Sequence, residues 1–491
     1  MASSFQPSFP VNANQGYSYV QNDSQKSAQT LYRETTIGKL MIDSLTRYVV
    51  GKGLTPMSAP ESDLLPGWTP ERLSAFRKEA EAYWRLTTGT SDIDYYGKDS
   101  FKSLQKIAFK AILNDGDCLR HIGYRKLNNG LIVPYIQLIS GRMVSQEWHE
   151  DTQESVGGVI ISKETGKEIG YCIRILDANF NPTGSFKRVN RRTRRGRLEF
   201  DLIMLGKSDP AIVRGIPVLT SLRDDILDYN SYKSNHITQS AVQSLFTAFI
   251  THSPDAEGAD RTVSFIDKLQ NNGAAETNDE GEKKIELGAG YIVDLNDGED
   301  VKLVQSQANG NDFEQFSKAV IGSIASALGM SYEVAMNSYN ASFSASRASI
   351  SGAEKNFAIL REEFADKFCT PVWGEIIPYG ILMGDIECPE WDSLTNTQKK
   401  ALLAVTWTGV TPPQVDPTKE VRAYVEAVEA GLCTREYAIR MLYGMDFEEV
   451  AERMAEEQNM LPTVSNGEET SAEDGTDADT ENDSDEENEN E

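Results

Sequence analysis

The apolar positions of this chain change period several times, and each change marks an element. Ser27 to Val50 carries a helical pattern that stops at Gly51-Lys52-Gly53. Thr69 and Pro70 open a second helix reaching Leu86, and Ser100 to Leu113 forms a third, with Phe101, Leu104, Ile107, Ala108 and Ile112 on one face. After Gly116 the period falls to two. Ile122 to Tyr135 folds back at Asn128-Asn129-Gly130, and Val159 to Ile175 near Thr165-Gly166, each with hairpin turn chemistry. Together these predict an α+β module ending near residue 215. A long helix follows from Arg214 to about Phe249, and the eleven residues before Ser253 contain no Lys, Arg, Asp or Glu. So uncharged a helix is unusual on a free surface, and its place is between neighbours, within one fold or between copies. Asp312 to Leu328 aligns Phe313, Phe316, Val320, Ile324 and Leu328 in one stripe, with Ala319, Gly322, Ser323, Ala325 and Ser326 permitting close helix contact. Between those helices, Thr262 to Ile266 and Tyr291 to Leu295 read as strands. Past a polar loop, Phe343, Ile350, Phe357 and Phe364 recur every seven residues with Ala353 and Leu360 between them, a long helix with one narrow apolar seam.

At 491 residues the chain exceeds one core and divides into two to four modules. No apolar run reaches the ~18 residues of a membrane span, and Met1-Ala-Ser-Ser-Phe-Gln-Pro lacks the regions of a secretory signal, so a soluble protein without a membrane partner is expected. Cys118, Cys172, Cys369, Cys388 and Cys433 are scattered and odd in number, which fits reduced buried thiols. No P-loop, His-Glu-x-x-His or Gly-x-Ser-x-Gly occurs, and His121, His149, His236 and His252 have no ligand spacing. Asp294 to Asp300 imitates a calcium loop, but Gly298 stands at its fifth position rather than its sixth, so a turn accounts for it better. No catalytic, cofactor-binding or metal-ligating residue is assigned.

The formal net charge is -27, and the segment from Val464 to Glu491 supplies thirteen Asp or Glu with no Lys or Arg. Without apolar periodicity, that tail is expected to be disordered. Asp255 to Lys302 holds thirteen acidic and five basic residues. Against this background Lys187, Arg188, Arg191, Arg192, Arg194, Arg195 and Arg197 place seven cations in eleven residues. Such a cluster fits nucleic acid, an acidic protein surface or the acidic tail of another copy, and the sequence does not choose among them.

Several segments, in order, carry a family resemblance: Arg214-Gly-Ile-Pro-Val-Leu, Leu328-Gly-Met-Ser-Tyr-Glu, Phe343-Ser-Ala-Ser-Arg-Ala, Pro371-Val-Trp, Asp416-Pro-Thr-Lys-Glu, Gly431-Leu-Cys-Thr and Gly444-Met-Asp-Phe-Glu-Glu-Val. With Trp84, Asp94, Gly97, Phe101, Leu104-Gln105 and Pro134 to Ile139, they resemble the lambda-type portal proteins of tailed bacteriophages over roughly residues 30 to 460. Phe343 stands where that family often has Tyr, and the Arg it commonly has near Gly322 is missing.

The resemblance implies a portal-like fold assembling as a ring of typically twelve subunits. Its parts would be a mobile N-terminal arm (1–30), an α+β wing (31–215), a first stem helix (216–250), a clip (251–310), a second stem helix (311–330), a tunnel loop (331–346), a long helix and wing return (347–395), a helical crown (396–463) and the acidic tail (464–491). It further implies a virion protein at the capsid portal vertex, made in the host cytoplasm. Its partners would be double-stranded DNA passing non-specifically, the terminase large subunit, the major capsid protein or scaffold, and a head-tail adaptor. The tunnel loop would present Met336, Asn337, Ser338, Tyr339, Asn340 and Ser342 to the DNA, and the basic cluster would lie outside on the wing, facing scaffold, capsid or packed DNA. An acidic or neutral wall suits a conduit, because passing phosphates find no cation to hold them. The competing classes are a metal-dependent nucleic-acid enzyme using scattered Asp and Glu, and a head-tail adaptor.

Overall fold

Thr35 splits the N-terminal helical stretch in two. The computed structural model describes residues 11–460 other than 127–131, 146–148, 178–181, 208, 210–211, 246–248, 253–274, 278–282, 286–298, 303–309, 340–342, 410–416 and 446. Helix α1 spans Val11–Glu34 and α2 spans Thr36–Val49. Between them Thr35 has extended backbone angles, and its Oγ1 accepts from the Gly38 N–H at 3.0 Å, capping α2. Residues 11–30 are thus helical, which corrects the expected mobile arm, whose residues 1–10 lie outside the described part. The physical reason is a face that composition hides. Gln21, Gln25 and Gln29, one turn apart, donate to Gly215 O (3.3 Å), Asp115 O (2.7 Å) and Asp115 Oδ1 (2.7 Å). These amides order the helix by satisfying carbonyl and carboxylate oxygens of the body, while Ala28 and Leu31 are buried beside them.

Strand β1 (Thr55–Ser58) leads to α3 (Pro70–Gly89), which Thr69 caps by accepting from the Arg72 N–H at 3.3 Å. Leu73, Phe76, Ala80 and Trp84 form its buried stripe. In α4 (Phe101–Asp115), Phe101, Leu104, Ala108, Phe109 and Ile112 are buried. Ile107, expected on that face, is exposed, since at 100° per residue it sits about 120° from the centre of the stripe.

All the paired strands among the described residues run antiparallel. A three-stranded sheet has β2 (Asp117–Lys126) between β3 (Ile132–Ser140) and β9 (Phe200–Met204). A five-stranded meander joins β4 (His149–Glu150), β5 (Gln153–Val156), β6 (Val159–Ser162), β7 (Glu168–Leu176) and β8 (Pro182–Asn190). Leu119 and Leu202 of the first sheet and Val159, Tyr171 and Val189 of the second cluster together with Val144 from the turn after β3. Within that cluster the Tyr171 hydroxyl accepts from the Leu202 N–H at 3.2 Å.

The helix predicted after residue 214 begins with a short turn at Val218–Thr220 and continues as α5, Arg223–Leu245. Beyond it β10 (Phe249–His252) pairs with β13 (Glu299–Lys302), and β11 (Ala275–Thr277) with β12 (Lys283–Ile285). The strands expected at Thr262 to Ile266 and Tyr291 to Leu295 lie outside the described residues. Helix α6 (Gly310–Ala327) then packs along α5.

After α7 (Tyr332–Met336), α8 (Phe343–Phe364) passes through a π-helical turn, Ala365–Cys369, into α9 (Thr370–Met383). The seam predicted for α8 is buried at Ala353, Phe357 and Phe364 and partly buried at Ile350 and Leu360. Helix α10 (Asn396–Leu402) and β14 (Val405–Thr408) follow, and β14 pairs with β1 from Thr55↔Thr408 to Ser58↔Val405. That pairing brings Trp407 to Trp84 (5.7 Å between ring centres), which also meets Phe101 (5.0 Å) and Trp373 (5.4 Å). Aromatic pairs of this kind each add about 0.5–1.5 kcal/mol beyond area burial. Residues 396–408, assigned from sequence to a C-terminal helical module, therefore belong to the first of two compact units, which divide at Val415/Asp416. The second unit contains α11 (Pro417–Glu429), α12 (Arg435–Tyr443) and α13 (Phe447–Met460).

Candidate functional site

The aromatic residues of α5 and α6 hold these helices side by side. Tyr232 stacks on Phe313 at 5.9 Å with the rings 6° from parallel and lies 4.1 Å from Phe316, while His236 lies 4.7 Å from Phe313. Ile226 and Tyr229 at the start of α5 are buried in the body, whereas Leu227, Ile237 and Phe316 are exposed. The helix pair therefore has an internal aromatic seam and, at Leu227, Ile237 and part of Phe316, exposed apolar surface.

The expected loop 331–346 contains one helical turn, α7, capped by Ser331 Oγ accepting from the Val334 N–H at 3.3 Å. Met336 ends that turn. Asn337 follows in the left-handed region at φ 52° and ψ 40°, the only non-glycine with positive φ among the described residues, and the Ser338 N–H closes back on Glu333 O at 3.0 Å. Met336 and Tyr339 are 38% and 37% exposed, while Ser338 is half-buried. Burial, assisted by a hydrogen bond with Tyr48, pushes the Tyr339 hydroxyl up to about 12. Tyr48 in turn stacks on Phe357 at 5.2 Å, so the segment is braced against α2 and α8. Asn340 and Ser342 lie outside the described residues.

At the base of α5, sequence reasoning missed a buried polar junction. Arg214 is buried, and its five N–H donors are all used. Nε and Nη2 grip Asp117 Oδ2 and Oδ1 at 2.7 and 2.9 Å, Nη2 also reaches Gly141 O at 2.7 Å, and Nη1 reaches Val144 O at 2.9 Å and Gly157 O. The Gly215 N–H donates to Asp117 Oδ2 at 2.9 Å. A Cβ on Gly215 would stand 1.9 Å from Gly116 O, so the two chain segments touch backbone to backbone. One guanidinium thus joins the start of β2, the turn after β3, the β5–β6 turn and the approach to α5. The available signal was Arg-Gly in one segment facing Gly-Asp in another, at a separation no local pattern bridges.

A second buried arginine supports the long helix. Thr370 N–H bonds Ala365 O five residues back, and Pro371 has no N–H to offer Lys367 O. Arg120 on β2 fills that gap, its Nη1 donating to Lys367 O at 3.2 Å and to Phe368 O, and its Nη2 to Asp201 Oδ2 at 3.4 Å. Burial pulls the Arg120 guanidinium below its usual range, against the opposing pull of Asp201.

The basic cluster occupies the end of β8 and the turn after it. The Thr193 N–H donates to Arg197 O and the Gly196 N–H to Thr193 O, each at 2.9 Å, so the tip is a closed turn. Arg191 turns inward to Asp201 Oδ1 at 2.8 Å, with Glu168 at 3.9 Å. Arg197 donates to Ile122 O at 3.1 Å and lies over the Tyr124 ring, near Glu375. Arg192 reaches Gly196 O at 2.7 Å. Lys187, Arg188, Arg194 and Arg195 are exposed. The structure thus separates two anchoring arginines, Arg191 and Arg197, from the cations displayed outward.

Among the described residues no group of three His, Cys, Asp or Glu could hold a metal ion, and no helix is long and apolar enough to cross a membrane. Cys118, Cys172, Cys369 and Cys388 are buried free thiols, and burial pushes Cys118 up to about 12.

The chain is 21% identical over 400 residues to portal protein B of Escherichia phage lambda, covering 77% of this chain and 73% of that protein. It is 21% identical over 398 residues to the portal protein of Escherichia phage N15, covering 78% and 74% respectively. Among solved structures it is similar to a chain from the neck of an empty gene transfer agent particle computed with C6 symmetry (TM-score 0.48, 10% identity, 86% of this chain and 93% of that one). It is also similar to a chain from the virion of a native gene transfer agent particle (TM-score 0.46, 12% identity, 86% and 93%). The family described as phage portal protein, lambda family, matches residues 7–361, a span that takes in the Arg214 junction, both paired helices and the Met336–Tyr339 segment. This chain belongs to the lambda family of phage portal proteins.

Proposed function

We propose that copies of this chain close into a ring, of twelve subunits, that forms the DNA passage at one vertex of a phage capsid. Membership of the portal family over residues 7–361 carries this reading. In it α5 and α6 are the stem helices, and the exposed Leu227, Ile237 and Phe316 are covered by the next subunit. Residues 251–310 belong to the clip, residues 31–215 to the wing, and α11 to α13 of the second compact unit to the crown. The terminase large subunit docks on this ring during packaging, the head-tail adaptor afterwards, and the major capsid protein or scaffold surrounds it. The ring acts as a conduit and not as an enzyme.

The Met336, Asn337, Ser338 and Tyr339 positions, continuing into Asn340 and Ser342, face the DNA in this reading. Met336 and Tyr339 offer uncharged exposed surface there, and neutral side chains touch DNA without the counterion release that would hold it in place. Replacing Ser338 and Asn340 by Arg sets two new cations per subunit against the phosphates. The expected result is intact rings that package or eject DNA more slowly, with the defect relieved by added salt. Unchanged packaging and ejection by rings verified to carry both substitutions would remove this segment from the DNA path.

A further inference from the structure

The hairpin tip after β8 is a closed, basic turn on a strongly acidic molecule. Its frame is fixed from within by the Arg191–Asp201 pair, the seat of Arg197 against Ile122 O and Tyr124, and the closed Thr193–Arg197 turn. The nearby carboxylates of Asp201, Glu168 and Glu375 are engaged by those two arginines. Arg194 and Arg195 are exposed and make no ion pair among the described residues, and Lys187 is exposed on the adjoining strand. Anchoring arginines thus hold the backbone while others are displayed, which pre-organises a small cationic surface for an anionic partner.

The same chain supplies such a partner. Residues 464–491 carry thirteen Asp or Glu and no Lys or Arg, without the apolar positions needed to build a core. A segment of that length reaches up to about 100 Å when extended. In the proposed ring, a neighbouring copy's segment stays at about millimolar effective concentration around the hairpin, where no free anion competes equally. Nucleic acid is the weaker candidate, because a few cations on a body that is otherwise acidic release few counterions and face general repulsion. We propose that the basic hairpin docks the acidic segment 464–491 of a second copy of this chain, an inference that rests on the ring assembly proposed above. Docking neutralises the one concentrated basic patch and keeps it from gripping DNA or the wrong surface.

Lys187 gives the test a handle, since a carbodiimide joins an amine to a carboxylate in direct contact with it. Full chain treated with carbodiimide at low salt and mapped by mass spectrometry is expected to link Lys187 to Asp or Glu within 464–491. The yield should drop about tenfold in Arg194→Glu/Arg195→Glu or at 1 M salt, and stay unchanged in the charge-matched Lys39→Glu/Lys400→Glu control. Heavy-isotope and ordinary chains mixed before assembly are expected to give links between copies, and links within one copy only would overturn the proposal. A labelled duplex DNA probe runs in parallel. Equal, weak binding by the full chain and by Arg194→Glu/Arg195→Glu agrees with a tail-occupied hairpin. Loss of DNA binding in that variant, with no link from Lys187 to the tail, assigns the hairpin to DNA and overturns the proposal. Links from Lys187 only to other parts of the chain overturn it equally.

Discussion

Arg214 and Arg194 lie close in sequence and do opposite things. Arg214 is buried, spends every N–H on Asp117 and three backbone carbonyls, and joins four chain segments. Arg194 stands on a hairpin tip, exposed and without an ion pair among the described residues. The side chain is identical, so the surroundings decide whether an arginine is structure or surface. In the dense basic cluster the difference recurs at shorter range, with Arg191 and Arg197 turned inward and Arg194 and Arg195 outward. Local charge density therefore does not say which arginines are structural; the partner groups supplied by distant segments do.

The comparison breaks most readily at Arg214. Arg214→Met leaves Asp117 buried and unpaired, and the expected loss is about 3–5 kcal/mol, read as a lower urea midpoint or as insoluble protein. A variant as stable as the parent would remove the junction from the account. Arg120→Met comes next. It leaves Lys367 O and Phe368 O without their side-chain donor, at about 1–3 kcal/mol for each buried group left unsatisfied. Loss of order there should appear as faster amide exchange in 362–372 than elsewhere in the long helix.

A smaller effect belongs to His121, stacked on Phe200 at 4.1 Å and facing Gln137 and Glu199. Burial lowers its pKa below 6.5, with Gln137 and Glu199 opposing, so the fold prefers the neutral ring. Its contribution is full above the unfolded value and is lost as pH falls through the window beneath it. Asp115, Glu168 and Glu375, held up by burial, contribute in the other direction as pH falls. Urea midpoints of His121→Phe should therefore decline less than those of the parent between about pH 6.5 and 5. Parallel curves would show that His121 titrates alike in both states. Smallest of all, Arg194→Ala and Arg195→Ala should change stability by no more than about 0.5 kcal/mol, as befits side chains that hold nothing within the fold.

What was legible in the sequence was what repeats locally. The seam through Ile350, Phe357 and Phe364, the cap at Thr69 and Pro70, and the hairpin turn near Gly166 follow from spacing within a few residues of each other. Gln21, Gln25 and Gln29 read as a polar arm because their partners, Asp115 and Gly215, are far along the chain. Trp407 read as part of a C-terminal module because its strand partner lies at residues 55–58. For the 331–346 segment the resemblance implies a loop. The Ser331 cap and the left-handed Asn337 instead wind its first part into a helical turn. Ordered motifs identified the family, but the junction that secures the base of α5 needed coordinates.

The central claim, that this chain works as a portal ring, is tested most directly by the assembly state of the purified full chain, with its mass measured and its particles imaged across salt. Each copy has a mass of 54.4 kDa and a formal charge of -27, so salt should favour assembly by screening repulsion between subunits. The account predicts closed rings with a central hole and a mass near twelve copies. Monomers alone at every salt and protein concentration would contradict it.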